Sequence, residues 1–150
     1  MKTLLKIPQT LSILLFFTLS TFAINPVEDT PAPFDKWKGT WEVESDHYVG
    51  TVKISMDGTG EFLNADITFK NKRTNKVVYR FRSVQMDIRK VRNSEITVQG
   101  VGKRASDKSK FSIKLNLVRY ATTDKAVGAY QIRAGTGTPS GMKSAIQITK

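Results

Sequence analysis

Lys110-Phe111-Ser112-Ile113-Lys114-Leu115-Asn116-Leu117-Val118-Arg119-Tyr120 is the stretch whose reading decides the fold. Phe111, Ile113, Leu115 and Leu117 fall on one side of an extended chain, with Lys110, Ser112, Lys114 and Asn116 on the other. Successive side chains of a strand point to opposite faces, so a period of two predicts a strand with one apolar face. Leu63, Ala65, Ile67 and Phe69 repeat the pattern, as do Tyr48, Val52, Ile54 and Met56. Beyond the N-terminal segment no stretch of twelve or more residues shows a helical period, and no internal repeat is present.

Working outward, the alternation predicts strands over 39–45, 48–56, 60–70, 76–89, 94–103, 110–120, 126–134 and 143–149. Turn chemistry separates them. Asp57-Gly58-Thr59-Gly60 offers the positive-φ residues of tight hairpins, and Asn in 71–75 and 92–94 tolerates left-handed backbone. In the fourth strand Tyr79 and Phe81 fall out of phase with Val84, Met86 and Ile88, which predicts a bulge near Ser83. Eight short antiparallel strands joined by short turns predict an all-β, up-and-down barrel, with a two-sheet β-sandwich as the rival.

The N-terminus reads differently. Lys2 and Lys6 precede an apolar run from Leu11 to Ile24, and Thr21 and Ala23 stand at −3 and −1 of a cut after Ala23. This is the layout of a secretory signal peptide over 1–23, too short for a bilayer that needs about 20 apolar residues. Residues 24–36 form a Pro-rich extended leader, and 37–150 the barrel domain. The chain has no Cys, one His and no Asn-x-Ser/Thr acceptor with a permitted middle residue. An exported, periplasmic or extracellular bacterial protein is therefore expected, with no disulfide, no lipid-anchor cysteine and no transmembrane segment after cleavage.

The 150 residues carry 24 Lys+Arg against 13 Asp+Glu, a formal net charge of +11. Losing 1–23 removes two of those charges, so the basicity belongs to the domain. In an up-and-down barrel alternate turns share an end. The first, third, fifth and seventh turns sum to +7, and the other three to +1. An anionic partner at the first of these ends is expected.

Gly39-Thr40-Trp41 opens the first strand and resembles the Gly-x-Trp signature of lipocalin-like and avidin-like (calycin-type) eight-stranded barrels. The resemblance implies an up-and-down barrel with Trp41 packed across one end. Termination on a strand is similar to the avidin type. Avidins line their biotin pocket with tryptophans on middle strands, whereas residues 42–149 contain none, so the resemblance does not extend to biotin. Ile96-Thr-Val-Gln-Gly100 resembles the barrel of dirigent and allene-oxide-cyclase proteins, which would imply an isomerase.

No catalytic spacing stands out. His47 follows Asp46 in the first turn and has no second His or Cys to join it at a metal. Gly135-Thr-Gly-Thr-Pro-Ser-Gly-Met-Lys-Ser144 separates Gly141 from Lys143 and precedes a strand, so it is a flexible loop and not a phosphate-binding loop. Phe62, Phe69, Tyr79, Phe81, Phe111, Tyr120 and Tyr130 are candidates to line an interior. Tyr79-Arg80-Phe81-Arg82 also has the basic–aromatic alternation of single-strand nucleic-acid platforms, although export argues against that partner.

The reading that follows is a non-enzymatic binding barrel with no cofactor and no metal. A small amphipathic or anionic ligand would place its apolar part among Phe69, Tyr79, Phe111 and Leu115. Its acidic group would meet Lys72, Arg73, Arg104 and Lys143. An anionic envelope surface is a further partner class. The alternatives are a protein-interaction or inhibitor module with a filled core, and a barrel isomerase with a buried ionisable residue such as Asp66 or Glu61.

Overall fold

The computed structural model describes residues 34–83, 86–87, 92, 94–120, 124–141 and 143–150. The expected signal peptide and leader residues 24–33 lie outside them, as do Val84 and Ile88. Among the described residues no helix is long and apolar enough to cross a membrane.

Among the described residues a 3₁₀ turn, Asp35–Trp37, leads into nine strand segments. These are β1 (Gly39–Ser45), β2 (Tyr48–Met56), β3 (Phe62–Asn71), β4 (Val77–Ser83), β5 (Met86–Asp87), β6 (Glu95–Arg104), β7 (Lys110–Arg119), β8 (Lys125–Ala134) and β9 (Ser144–Thr149). Each pairs antiparallel with its chain neighbours, β4 and β5 sharing β3, and β1 also pairs with β9. The ring β1-β2-β3-β4-β6-β7-β8-β9 is closed, so the molecule is an eight-stranded up-and-down barrel and not a sandwich. The β1–β9 and β2–β3 ladders remove the free edges that an open sheet would keep at its first and last strands.

The expected fourth strand, 76–89, is two segments on one barrel strand. Asp66 pairs with Arg82 and Leu63 with Met86. Two residues of β3 therefore oppose three on the other side, the count of a β-bulge. This is where the phase of the sequence slips. The extra residue turns Met86 back against the core that Tyr79 and Phe81 already face. A second register shift, between Phe69 and Lys70, leaves Val78 as the extra residue of β4.

The interior is built from the alternating residues. Trp41 and Val43, Val52 and Ile54, Leu63 to Phe69, Tyr79 and Phe81, Ile96 and Val98, Phe111 to Leu117, and Ile146 and Ile148 supply one contiguous buried cluster. Two inward glycines make room where strands come closest. A Cβ on Gly50 would overlap the Thr68 carbonyl, and one on Gly102 would overlap the Arg80 carbonyl. Gly50 lies opposite Phe69, and Gly102 lies between Phe81 and Phe111, so each glycine is flanked by a large ring.

One end is closed by tryptophan. Trp37 and Trp41 are fully buried, with ring centroids 5.7 Å apart. The Trp37 indole N–H donates to the Arg92 carbonyl at 2.9 Å, and the Trp41 N–H donates to the Trp37 carbonyl at 2.7 Å. The Lys150 ammonium stands 5.6 Å from the Trp41 ring centre. The position of Trp41 agrees with what Gly39-Thr40-Trp41 implies, and the closed ring is compatible with a calycin-type barrel. At the same end, the Asp57 turn is pinned by its own side chain. Burial alone would raise the Asp57 carboxyl, but the Thr59 hydroxyl and the Phe62 and Gly60 N–H groups outweigh it. They hold it below the usual carboxylate range.

Candidate functional site

The opposite end carries the first, third, fifth and seventh turns, around 46–47, 72–76, 105–109 and 135–143. Beneath them the inward positions are aromatic. Tyr48 and Phe69 stack at 5.4 Å, Phe69 meets Tyr130 edge-on at 5.5 Å, and Tyr79 meets Phe111 at 5.1 Å. Tyr48 also touches Tyr79 and Tyr130 edge-on, at 5.9 and 6.3 Å. The quadrupoles of aromatic rings favour these offset and edge-to-face arrangements. They make a plug of rings across the barrel end.

Three of those rings carry hydroxyls. Ser45 Oγ lies 3.5 Å from the Tyr130 hydroxyl, donates to the Tyr48 carbonyl and accepts from the Tyr48 N–H, both at 3.1 Å. Burial, reinforced by Tyr79 and Tyr130, pushes the Tyr48 phenol up to about 12, while nearby Arg104 works against the shift. Arg104 itself lies over the Phe111 ring, 4.6 Å from its centre, and pairs with Asp107 at 3.2 Å. The Ser109 hydroxyl and N–H, aided by Arg104, hold the Asp107 carboxyl below its usual range. The result is a small polar patch of three phenols, one serine and one guanidinium above an apolar floor.

Phe69, Tyr79 and Phe111, expected to meet a ligand, do come together here, against one another. Leu115 is fully buried deeper in the barrel, opposite Val98 and Tyr130. The cations do not converge on one point. Lys72 reaches out to Glu44 at 2.8 Å, and this partner lowers the Glu44 carboxyl from its ordinary value. Arg73 is exposed beside Asp46 and His47 along a shallow cleft of about 470 Å³ that also includes Lys72. His47 is exposed. Lys143 is exposed, with its N–H donating to the Tyr130 carbonyl at 3.2 Å.

No protein-family model matches the chain, and neither curated proteins nor solved structures show a significant match to it.

Tyr48 and Ser45 are the site residues that the sequence reading did not single out for a ligand. Tyr48 was legible as the first inward residue of the second strand. Ser45 occupies an inward position of β1 otherwise filled by Trp41 and Val43, and a hydroxyl among apolar neighbours was the available signal.

Three expectations need correction. Tyr120 does not line the interior but is 56% exposed just beyond β7. The loop after β8, expected only as a connection between the last two strands, touches the barrel wall at two points. Ser112 Oγ donates to the Gly137 carbonyl at 2.6 Å, and the Gly141 N–H donates to the Gln131 side chain at 2.8 Å. Ser112 and Gln131 are outward positions, so the loop folds along the outside of β7 and β8 and not across the barrel end. Finally, Asp66 and Glu61, named as buried ionisable candidates for an isomerase, are both exposed on the outside. Odd-numbered β3 residues face the core, which puts Asp66 on the solvent face.

Proposed function

We propose that the protein is an exported binding barrel of lipocalin/avidin-like type whose tyrosine-lined end holds a small anionic ligand with a flat apolar part. The observation that carries this reading is the meeting of Tyr48, Tyr79, Tyr130, Ser45 and Arg104 at one end of an otherwise apolar interior. Burying hydroxyls costs free energy unless they are paired, and packing alone would be served by Phe and Leu. The same groups suit a ligand: Arg104 offers charge-assisted donors, the phenols donate or accept, and Phe111 and Phe69 supply apolar contact. Lys72 and Arg73 add to the potential that draws an anion towards this end. Because the rings occupy the barrel axis, the apolar part lies on them and does not thread past Leu115. Export rests on the pattern of Lys2, Lys6 and the apolar run to Ile24.

The interaction-module reading keeps one favourable observation, the aromatic plug that fills this end. Titration of isotope-labelled protein with dodecanoate and with anilinonaphthalene sulfonate separates the two. Amide shifts are expected around Tyr48, Tyr79, Arg104 and Tyr130, and Arg104→Ala is expected to weaken binding about tenfold, the loss of one charged hydrogen bond. Shifts confined to the tryptophan end, or none with either anion, overturn the reading.

A further inference from the structure

The outer wall of β4, β6 and β7 carries a charge arrangement that stability does not explain. Arg80 pairs directly with Lys103, and Lys103 directly with Lys110. All three are exposed, being out of phase with inward Tyr79, Phe81, Gly102 and Phe111. Like charges directly opposite on neighbouring strands weaken a sheet. Neighbouring strands lie about 4.8 Å apart, so the three cations form a row roughly 10 Å long across the strand direction.

Two of the three, Arg80 and Lys103, also line a larger feature. A groove of about 550 Å³ runs along β4 and β6. Five of its eleven lining residues are Lys or Arg, and Asp66 is its one acid. Asp66 stands 3.6 Å from Arg82 with both side chains well exposed, a pair that water screens strongly. Val77, Val101 and Ala105 supply an apolar floor, and Val101 is 41% exposed.

We propose that this wall is a docking surface for an extended anionic polysaccharide. A row of fixed cations at strand spacing suits a linear polymer with acidic groups on successive units. The groove is concave, which suits a chain better than a plane of lipid headgroups. Single-stranded nucleic acid needs rings on which bases stack. Among the described residues these three strands expose none, because Tyr79 and Phe81 point inward and only Arg80 and Arg82 of that quartet face outward. Arg104 is shared with the tyrosine patch, whereas Arg80, Arg82, Lys103 and Lys110 lie outside it, so substitutions confined to Arg80 and Lys103 test this surface apart from that patch.

The test measures binding of the purified protein to heparin and polygalacturonate, beside a thymidine oligonucleotide and phosphatidylglycerol vesicles. Both polysaccharides are expected to bind, with affinity falling as salt rises. Arg80→Glu with Lys103→Glu is expected to cost about tenfold or more. The control pair Lys36→Glu with Lys125→Glu, equal in net charge but outside the groove lining, is expected to cost less than about twofold. The neutral pair Arg80→Thr with Lys103→Thr guards against misfolding. It is expected to weaken binding too, while raising the Tm of the free protein by about 1–3 °C as the repulsion is relieved. Equal losses in the two charge-reversed proteins, tighter binding to the oligonucleotide or the vesicles, or no binding to either polysaccharide would overturn the proposal.

Discussion

The two ends of the barrel use aromatic residues in opposite ways. At the tryptophan end each indole N–H has a fixed backbone acceptor, and the rings are fully buried. At the tyrosine end the polar atoms face one another and a guanidinium, and Tyr48 is only half-buried. Both ends close the barrel, one with indole N–H groups bonded to backbone carbonyls and the other with phenols that meet one another and Ser45.

The largest expected effect probes the first end. Trp41→Ala removes a fully buried ring from the core cluster and should cost about 3–5 kcal/mol of stability, measured by urea unfolding. A loss below about 1 kcal/mol would mean that Trp41 does not anchor that end. Next comes a matched pair of polar deletions. Trp37→Phe strands the Arg92 carbonyl and should cost about 1–2 kcal/mol, whereas Tyr79→Phe should cost less than about 0.5 kcal/mol. Equal costs would erase the contrast between the ends.

A titration sharpens the comparison from another side. The raised Tyr48 phenol means that between pH about 10 and about 12 the folded chain keeps a proton the unfolded chain has lost. Its contribution to stability is complete below pH 10 and disappears as pH rises through 12. Phenolate absorbance should show a late-titrating component that becomes ordinary on unfolding, and Tyr48→Phe should remove it. The smallest effect concerns the rim. The Glu44 carboxyl is lowered by Lys72, so its contribution is present above the ordinary carboxylate pKa and fades as pH falls through the lowered value. Glu44→Gln should therefore flatten the acid limb of the pH–stability curve slightly without moving the alkaline limb.

How much of this was legible in the sequence follows from where each signal resides. Strand faces are local, so the alternation in 110–120 gave β7, and the phase slip after Phe81 gave the bulge that brings Met86 back to the core. The basic end followed from turn order once the strands were consecutive. Pairwise geometry was not legible. That Lys72 turns to Glu44, or that Arg80, Lys103 and Lys110 align in one row, depends on register between strands far apart in sequence. Register is set by which inward side chains fit together and by where bulges fall. Asp66 misled as a buried candidate because its pairing partners were invisible, although its position opposite Ile67 already placed it outside.

The β1–β9 ladder has a consequence for how the chain reaches this state. Every other ladder joins strands close together along the chain, while this one brings together Glu42 and Thr149, about a hundred residues apart. Contacts of such separation carry the greatest loop-closure entropy and tend to be slow to form. The seam is thus expected to close last, with amides of β1 and β9 gaining protection after those of β6 and β7 in pulse-labelled hydrogen exchange. Until then the nascent sheet has two free edges. A barrel closed through its first and last strands is most exposed to strand-to-strand aggregation during the interval before they meet.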